Sequence, residues 1–424
     1  MAKSSARGSA ASPRCVESRA IWDGTGAPPF PGRITIEAGR IIAIERFSAA
    51  EGEHLPPTLV TPGLANAHLH LDLTTERPTD RLEGPFTDWL AGVVDHRRRE
   101  GREGLETAAA RGIAASLAAG VTLLIDDDWR GCSNAPLAAS PIRRAILREV
   151  IAPALDAEEE ETLRAFLAAP HREGQELRSL FPHAPYTVTP GALDSLLALR
   201  PDAKTPWSMH VAESAWEREL LVEGTGPGAE FLRGFGIDPA PFRLGRTAVE
   251  ELAARGLLGD HVLLVHGNHL TEGEIALIAE HGGTVVYCPR SHAYFGHPPH
   301  PLPALLEAGV PVALGTDGAI SAGGLSILEE MRAAHRAHPQ VPVEALWHAA
   351  TTVPRRALGG ALGKGTIEVG EGVELVEWEQ AGAAAQPLAA LLRGTGDAAT
   401  LVTLDRAFPG RWVREEEGSR EGEI

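Results

Sequence analysis

The stretch Leu59-Val-Thr-Pro-Gly-Leu-Ala-Asn-Ala-His68-Leu-His70-Leu-Asp72 ends an apolar run with two histidines one residue apart. On a strand, side chains alternate faces with a period of two, so His68 and His70 point to one side and Leu69 and Leu71 to the other. Such a pair is half of a metal site, or else two polar residues at a strand end that hydrogen-bond nearby backbone. The choice between these readings, and with it the fold, depends on what the rest of the chain brings to the same place.

Downstream of this strand, short apolar segments alternate with Ala- and Leu-rich helical stretches, the pattern of a parallel βα architecture. Candidate strands are 122–126, 145–151, 178–183, 207–212, 261–266, 284–288 and 312–315, which with the opening strand make eight. Amphipathic helical stretches fall at 85–99, 105–119, 158–169, 192–200, 274–282 and 325–338. An α/β fold closed as a (β/α)8 barrel of the TIM type is the economical expectation. Short alternating segments at 32–39 and 40–45, and again at 365–370, 373–378 and 399–404, predict one small β-sheet unit built from both ends of the chain. The expected division is residues 1–62 and 364–424 for that unit, with its tail frayed from Arg414, and 63–363 for the barrel. No repeat of 20 to 50 residues suggests a solenoid.

Composition narrows the chemistry. Over 424 residues, 43% hydrophobic and 23% charged content is ordinary for a soluble globular enzyme, for which a small-molecule substrate is the expected partner. No run approaches the roughly 20 apolar residues that span a bilayer. The small, polar first dozen residues lack the apolar centre of a secretory signal, so a cytoplasmic location is expected. A formal charge of −18 repels phosphate backbones and anionic lipid, making nucleic acid and membranes poor partners. Cys15, Cys132 and Cys288 are widely spaced, which disfavours both a disulfide framework and a thiolate zinc site. Any metal must be held by histidine and carboxylate.

In a βα barrel the chemistry sits at the C-terminal ends of the strands. There the sequence places His68 and His70, then His183, His210, His266 and Asp317. His68, His70, His210 and Asp317 offer three imidazoles and one carboxylate, a set that suits one divalent ion, zinc first and iron(II) as the alternative, with a position left for water. Each taken alone is equally a buried, hydrogen-bonded polar residue; their joint placement at strand ends favours the metal. Glu213, three residues after His210, is close enough to carry protons, or is a helix-start carboxylate stabilised by the dipole.

Together these motifs resemble the amidohydrolase superfamily, in its cytosine deaminase and chlorohydrolase-like branch, from Thr61-Pro-Gly63 to Gly365-Thr-Ile-Glu368. The resemblance implies a barrel flanked by a β-sandwich from both termini, a homodimer, and a mononuclear site with His68, His70, His210 and Asp317 as ligands. It also implies catalytic roles for Glu213 as proton shuttle, His266 as the residue that positions the water, and Asp317 as a participant in proton delivery. Relatives with two metals generally use a bridging carboxylated lysine, but the only mid-chain lysine, Lys204, precedes the His210 strand, at the wrong end of the barrel. Glu149 is read as structural.

Phe86-Thr-Asp-Trp-Leu90, Arg148-Glu-Val-Ile151, His183-Ala-Pro-Tyr-Thr187 and Cys288-Pro-Arg-Ser-His-Ala-Tyr-Phe-Gly-His297 resemble stretches of the branch's adenine-nucleoside deaminases, those acting on aminodeoxyfutalosine above all. His183, Arg290, Ser291 and His292 are the expected substrate contacts, although the last three also read as turn-forming loop residues. Relatives commonly carry serine after the ligand aspartate and then Ala-Ser-Asn, where this chain has Gly318 and Ile320-Ser-Ala322. The expected activity is hydrolytic deamination of an aminated heterocycle. The same site acting on another C–N or C–Cl bond is the alternative. A non-catalytic scaffold would have lost a ligand or the shuttle, and all are present.

Overall fold

A computed structural model describes residues 13–75, 85–379, 381–394 and 399–403. The chain opens with β1 (Arg14–Ile21), β2 (Phe30–Glu37) and β3 (Arg40–Arg46), followed by a short, fully buried β4 (Leu59–Pro62). Along β2 every second residue from Phe30 to Ile36 is buried, the period of a sheet with one covered face. Fully buried strands follow from Leu64 onward: β5 (Leu64–Leu69), β6 (Val121–Asp128), then β7 (Arg143–Val150) and β8 (Glu176–Pro182), which are covered along most of their length. After them come β9 (Trp207–Val211), β10 (Val262–His266), β11 (Thr284–Tyr287) and β12 (Val312–Leu314), again buried throughout. The last strands, β13 (Glu374–Trp378) and β14 (Ala399–Thr403), return to the first sheet.

Three sheets result. β5-β6-β7-β8 and β9 to β12 are two parallel four-stranded sheets, the α/β arrangement that burial on both faces requires. Backbone bonds cross between them: the His210 N–H donates to the His183 carbonyl beyond β8 at 3.0 Å, and the Thr316 and Asp317 N–H groups past β12 donate to the His68 carbonyl of β5 at 3.0 and 3.1 Å. The third sheet has the order β14-β13-β4-β1-β2-β3, so both ends of the chain do meet in one sheet. The strand order gives this unit as one hydrogen-bonded sheet.

Each candidate strand of the middle region forms within a few residues of its expected place. The helical stretch Phe86–Ala118 is continuous except at Gly101, whose φ of 60° and ψ of −178° kink it between the two helices expected there. The alternating segment 365–370 is a turn and not a strand. Gly365 has a φ of 77°, and a Cβ there would lie 2.6 Å from the Thr351 carbonyl oxygen. Glycine stands at that position because backbone crosses backbone. The expected frayed tail from Arg414 lies outside the described residues.

Arg355 joins the third sheet to the strand starts. Its fully buried guanidinium donates to the Gly63 and Thr351 carbonyls, to Thr122 Oγ1 at 2.8 Å and to Glu374 Oε2 of β13 at 3.0 Å. Among the described residues no helix is long and apolar enough to cross a membrane.

Candidate active site and metal centre

Period-two geometry places His68 and His70 on one side of the end of β5: their rings are perpendicular with centroids 5.0 Å apart, and each Nε2 lies 3.7 Å from Asp317 Oδ1. Asp317 reaches them because the chain past β12 is bonded to the His68 carbonyl and then turns left-handed, with φ of 62° at Asp317 itself. Gly315 permits that approach, since a Cβ there would lie 2.9 Å from both Cβ and the carbonyl oxygen of His68. Ser291 and Ser321 hydroxyls donate to Asp317 Oδ2 at 2.6 and 2.9 Å, fixing its plane.

His210, near the end of β9, brings its ring to 5.1 Å from His68 and 5.7 Å from His70. Asp127 of β6 completes the group, its Oδ2 2.5 Å from His68 Nδ1. One potential ligand atom from each of His68, His70, Asp127 and His210 lies within 4.8 Å of the others. His68 Nε2, His70 Nδ1, His210 Nδ1 and Asp127 Oδ1 are buried without a hydrogen-bond partner. Unsatisfied buried polar atoms are costly, and a cation among the imidazoles would satisfy part of this set. The donor chemistry therefore fits a metal site, in which a carboxylate on the far ring nitrogen of a ligand histidine is a common companion.

The electrostatics agree. Burial disfavours a charged His68, but the Asp127 and Asp317 carboxylates outweigh it and push the imidazole up to about 10, so this spot favours positive charge. Burial also disfavours the Asp317 carboxylate, yet the surrounding imidazoles hold it well below the usual range. His70 and His210 are driven down by burial and by neighbouring imidazoles, to the neutral form that ligation requires.

Glu213 lies just past β9, where Ala212 takes a left-handed φ of 49° and turns the chain back over the site. Its Oε1 is 3.3 Å from His266 Nε2, and Tyr186 Oη donates to its Oε2 at 3.4 Å. Burial, reinforced by Asp317 and Glu217, raises Glu213 well above the usual carboxylate range. His266 ends β10, also left-handed with φ of 73°, and burial lowers it to about 3. A carboxyl group inclined to hold a proton thus faces a neutral imidazole beside the metal-type cluster.

His183 is in the same place: its ring is 4.9 Å from that of His210, with Nδ1 2.8 Å from Thr187 Oγ1 and Nε2 3.8 Å from Glu149 Oε1. Glu149 also takes an Arg97 contact at 3.2 Å, and Arg97 donates to Asp72 at 2.7 Å over the face of Trp129. The segment after β11 forms a short helix, Pro289–Phe295. From it Ser291 reaches Asp317, whereas Arg290 pairs with Glu330 at 2.6 Å and with the Gly324 carbonyl. His292 is buried beside His297 and His300, with ring centroids at 5.4 and 5.7 Å. Lys204 is exposed in the turn before β9, away from this end of the strands.

Asp127, Tyr186 and Asn268, which bonds the Glu213 carbonyl at 3.0 Å, are site residues that the motif reading does not pick out. The Asp126-Asp-Asp128 run closing β6 carries a signal for the first of them, because three carboxylates ending a buried strand need an explanation.

Comparison with known proteins points the same way. The sequence profile of the Amidohydrolase family matches residues 59–407. The 5-methylthioadenosine/S-adenosylhomocysteine deaminase of Nitratidesulfovibrio vulgaris (strain DP4) is 31% identical over 382 residues, covering 84% of this chain and 81% of that protein. The aminodeoxyfutalosine deaminase of Deinococcus radiodurans is 28% identical over 368 residues, 80% of this chain and 84% of that protein. Among solved structures, a zinc-bound adenosine deaminase from Xanthomonas campestris superposes with a TM-score of 0.74 at 25% identity, over 92% of this chain and 91% of that one. A profile match running from β4 past β13, over a cluster of histidines and aspartates at strand ends, leaves one conclusion: the chain belongs to the amidohydrolase family.

Proposed function

We propose that this chain is a mononuclear, metal-dependent aminohydrolase that releases ammonia from the amidine carbon of an adenine nucleoside. The observation that carries the reading is the buried Glu213 carboxyl group 3.3 Å from His266 Nε2, next to the His68, His70, His210 cluster. The names of the relatives support the substrate class. His68, His70, His210 and Asp317 would hold the ion, zinc by preference, with Asp127 steadying His68. A divalent ion bound there supplies a nucleophilic water at neutral pH.

The chain's own groups do the rest. Glu213 would carry one proton of the water that adds to the amidine carbon to the ring nitrogen; the second, from the hydroxyl thus formed on that carbon, would go to the amino group with help from Asp317, so that the C–N bond breaks and ammonia leaves. Tyr186 and His266 hold the carboxyl group, and His266 would position the water. His183, whose imidazole burial keeps neutral by lowering it to about 3, contacts the nucleoside, with Ser291 and the Arg290–His292 segment nearby.

For the fold, we infer that the two parallel sheets are halves of one (β/α)8 barrel spanning 63–363, supported by the backbone bonds from β8 to β9 and from β12 to β5. Residues 1–62 and 364–424 form the accompanying β unit, and the chain acts as a homodimer.

The test is ammonia release by the zinc-loaded protein on 5′-methylthioadenosine, S-adenosylhomocysteine and aminodeoxyfutalosine, with Glu213→Gln as control. Release that the substitution abolishes supports the proposal. Silence on all three from metal-loaded protein overturns the nucleoside assignment and moves the search to chlorinated rings and cyclic amides.

A further inference from the structure

Ser214-Ala-Trp-Glu217 has the spacing of a capping box, in which a serine opens a helix and the glutamate three residues on bonds back to the serine N–H. The chain uses this device elsewhere in its ordinary form, at Ser48/Glu51, Thr247/Glu250 and Thr271/Glu274. At Ser214, which precedes the helix Ala215–Glu223, the box is not made: the serine hydroxyl is buried without a partner. Glu217, itself 2% exposed, reaches past the serine. Its Oε1 accepts from the Ala212 N–H at 2.8 Å and its Oε2 from the Glu213 N–H at 3.1 Å.

Those two amides belong to the turn that aims Glu213. On its other side, the Ala212 carbonyl accepts from the His269 N–H and the Glu213 carbonyl from Asn268 Nδ2, each at 3.0 Å. All four backbone polar groups of Ala212 and Glu213 are therefore occupied, and Glu217 supplies both acceptors. The clamp has work to do, because Ala212 sits at φ of 49°, where a residue with a Cβ does not rest unaided.

We propose that Glu217 is a positioning residue for catalysis: it holds the left-handed turn at Ala212 and thereby keeps the Glu213 carboxyl group on His266 and Tyr186. This rests on the reading of Glu213 as the proton shuttle. A glutamate matches two adjacent N–H donors, one to each oxygen. Glutamine offers one acceptor and turns an NH2 group against the other donor.

The experiment compares Glu217→Gln, Glu217→Ala, Ala212→Gly and the double variant Ala212→Gly/Glu217→Gln. Glu213→Gln serves as the catalytic control and Glu250→Ala, which removes the acceptor of the Thr247 N–H, as the control for loss of an ordinary cap. Rates are expressed per metal-loaded, folded molecule, on 5′-methylthioadenosine or whichever nucleoside the panel above identifies. Hydrogen exchange of the peptide carrying Ala212 and Glu213 is followed without substrate. Because a misplacement of 1 Å at a reacting group costs on the order of 100-fold, Glu217→Gln should lower kcat by about 10- to 100-fold, with KM within about threefold. Exchange at the turn should quicken. Glycine tolerates the left-handed turn, so the double variant should recover about fivefold of that loss. Glu250→Ala should lose stability with kcat unchanged.

A Glu217→Gln enzyme with parental kcat and parental exchange, when Glu213→Gln is inactive, overturns the inference. So does a double variant no faster than Glu217→Gln, since the strained turn would then not be what Glu217 maintains. An active Glu213→Gln overturns instead the reading of the shuttle beneath it.

Discussion

Replacing Asp127 by asparagine should weaken zinc binding by about 10- to 100-fold while leaving the fold intact. The side chains of His68 and Asp127 are each 1% exposed, so no solvent takes over when the carboxylate is lost. A hydrogen bond to a charged group contributes about 1.5–3 kcal/mol, which corresponds to about 10- to 150-fold in affinity. Outer carboxylates on metal-ligand histidines, measured as a class, give about the same range. Asparagine adds a specific difficulty: it can present its NH2 group to His68 Nδ1, and the ring then carries its proton on Nε2, the nitrogen nearest Asp317. Zinc affinity is read by competition against a fluorescent chelator at fixed pH, with circular dichroism as the check on folding. Affinity within twofold of the parent would refute the argument that Asp127 orients His68. A loss beyond about a thousandfold would refute it from the other side, since that is the behaviour of a direct ligand.

Two further outcomes follow from buried charge. Arg355→Leu strands Glu374 and three buried acceptors, although Arg143 stays 3.0 Å from Glu374, so unfolding free energy should fall by about 3 kcal/mol in urea titration; a loss below about 1 kcal/mol would show that the joint between the sheets is held by apolar packing. Burial raises Glu330 to about 7 despite its pairing with Arg290, so from the ordinary carboxylate range up to about 7 the folded chain keeps a proton that the unfolded chain has released. Stability of the parent relative to Glu330→Gln should therefore fall as pH rises from 5 to 7.5. A urea midpoint difference that widens in the parent's favour over that range would contradict the assignment.

His68 and His70 could be found from the sequence because the property that matters, two side chains on one face, is a local consequence of strand geometry. His183, His210, His266 and Asp317 share a different local mark, a polar residue closing an apolar run. Asp127 shares that mark with Asp126 and Asp128, and the run alone does not say which of the three meets a histidine. Asp127 meets His68 because β5 and β6 pair with Leu69 opposite Asp126, and register between distant strands is not written in either strand alone. Glu217 is harder still, since its spacing spells a cap and only the left-handed turn at Ala212 diverts it. Around Arg290 the sequence reads as a loop of free donors, whereas residues 289–295 form a helix and Glu330, 40 residues away, meets the guanidinium. Segment 365–370 alternates like a strand, but its glycines serve turns and a backbone crossing.

The order of strands in the six-stranded sheet sets a schedule for biosynthesis. β4 lies between β1 and β13, with Leu59, Val60 and Thr61 fully buried in the finished protein. Its partner on the far side begins at Glu374, some 310 residues later in the chain. At about 5–20 residues per second, a ribosome needs about 15–60 s to supply it. During that interval β4 is an apolar strand with one open edge, the kind of surface that pairs with a neighbouring chain. A nascent chain stalled or cut before Glu374 would keep that edge permanently, and self-association through β4 is its expected fate.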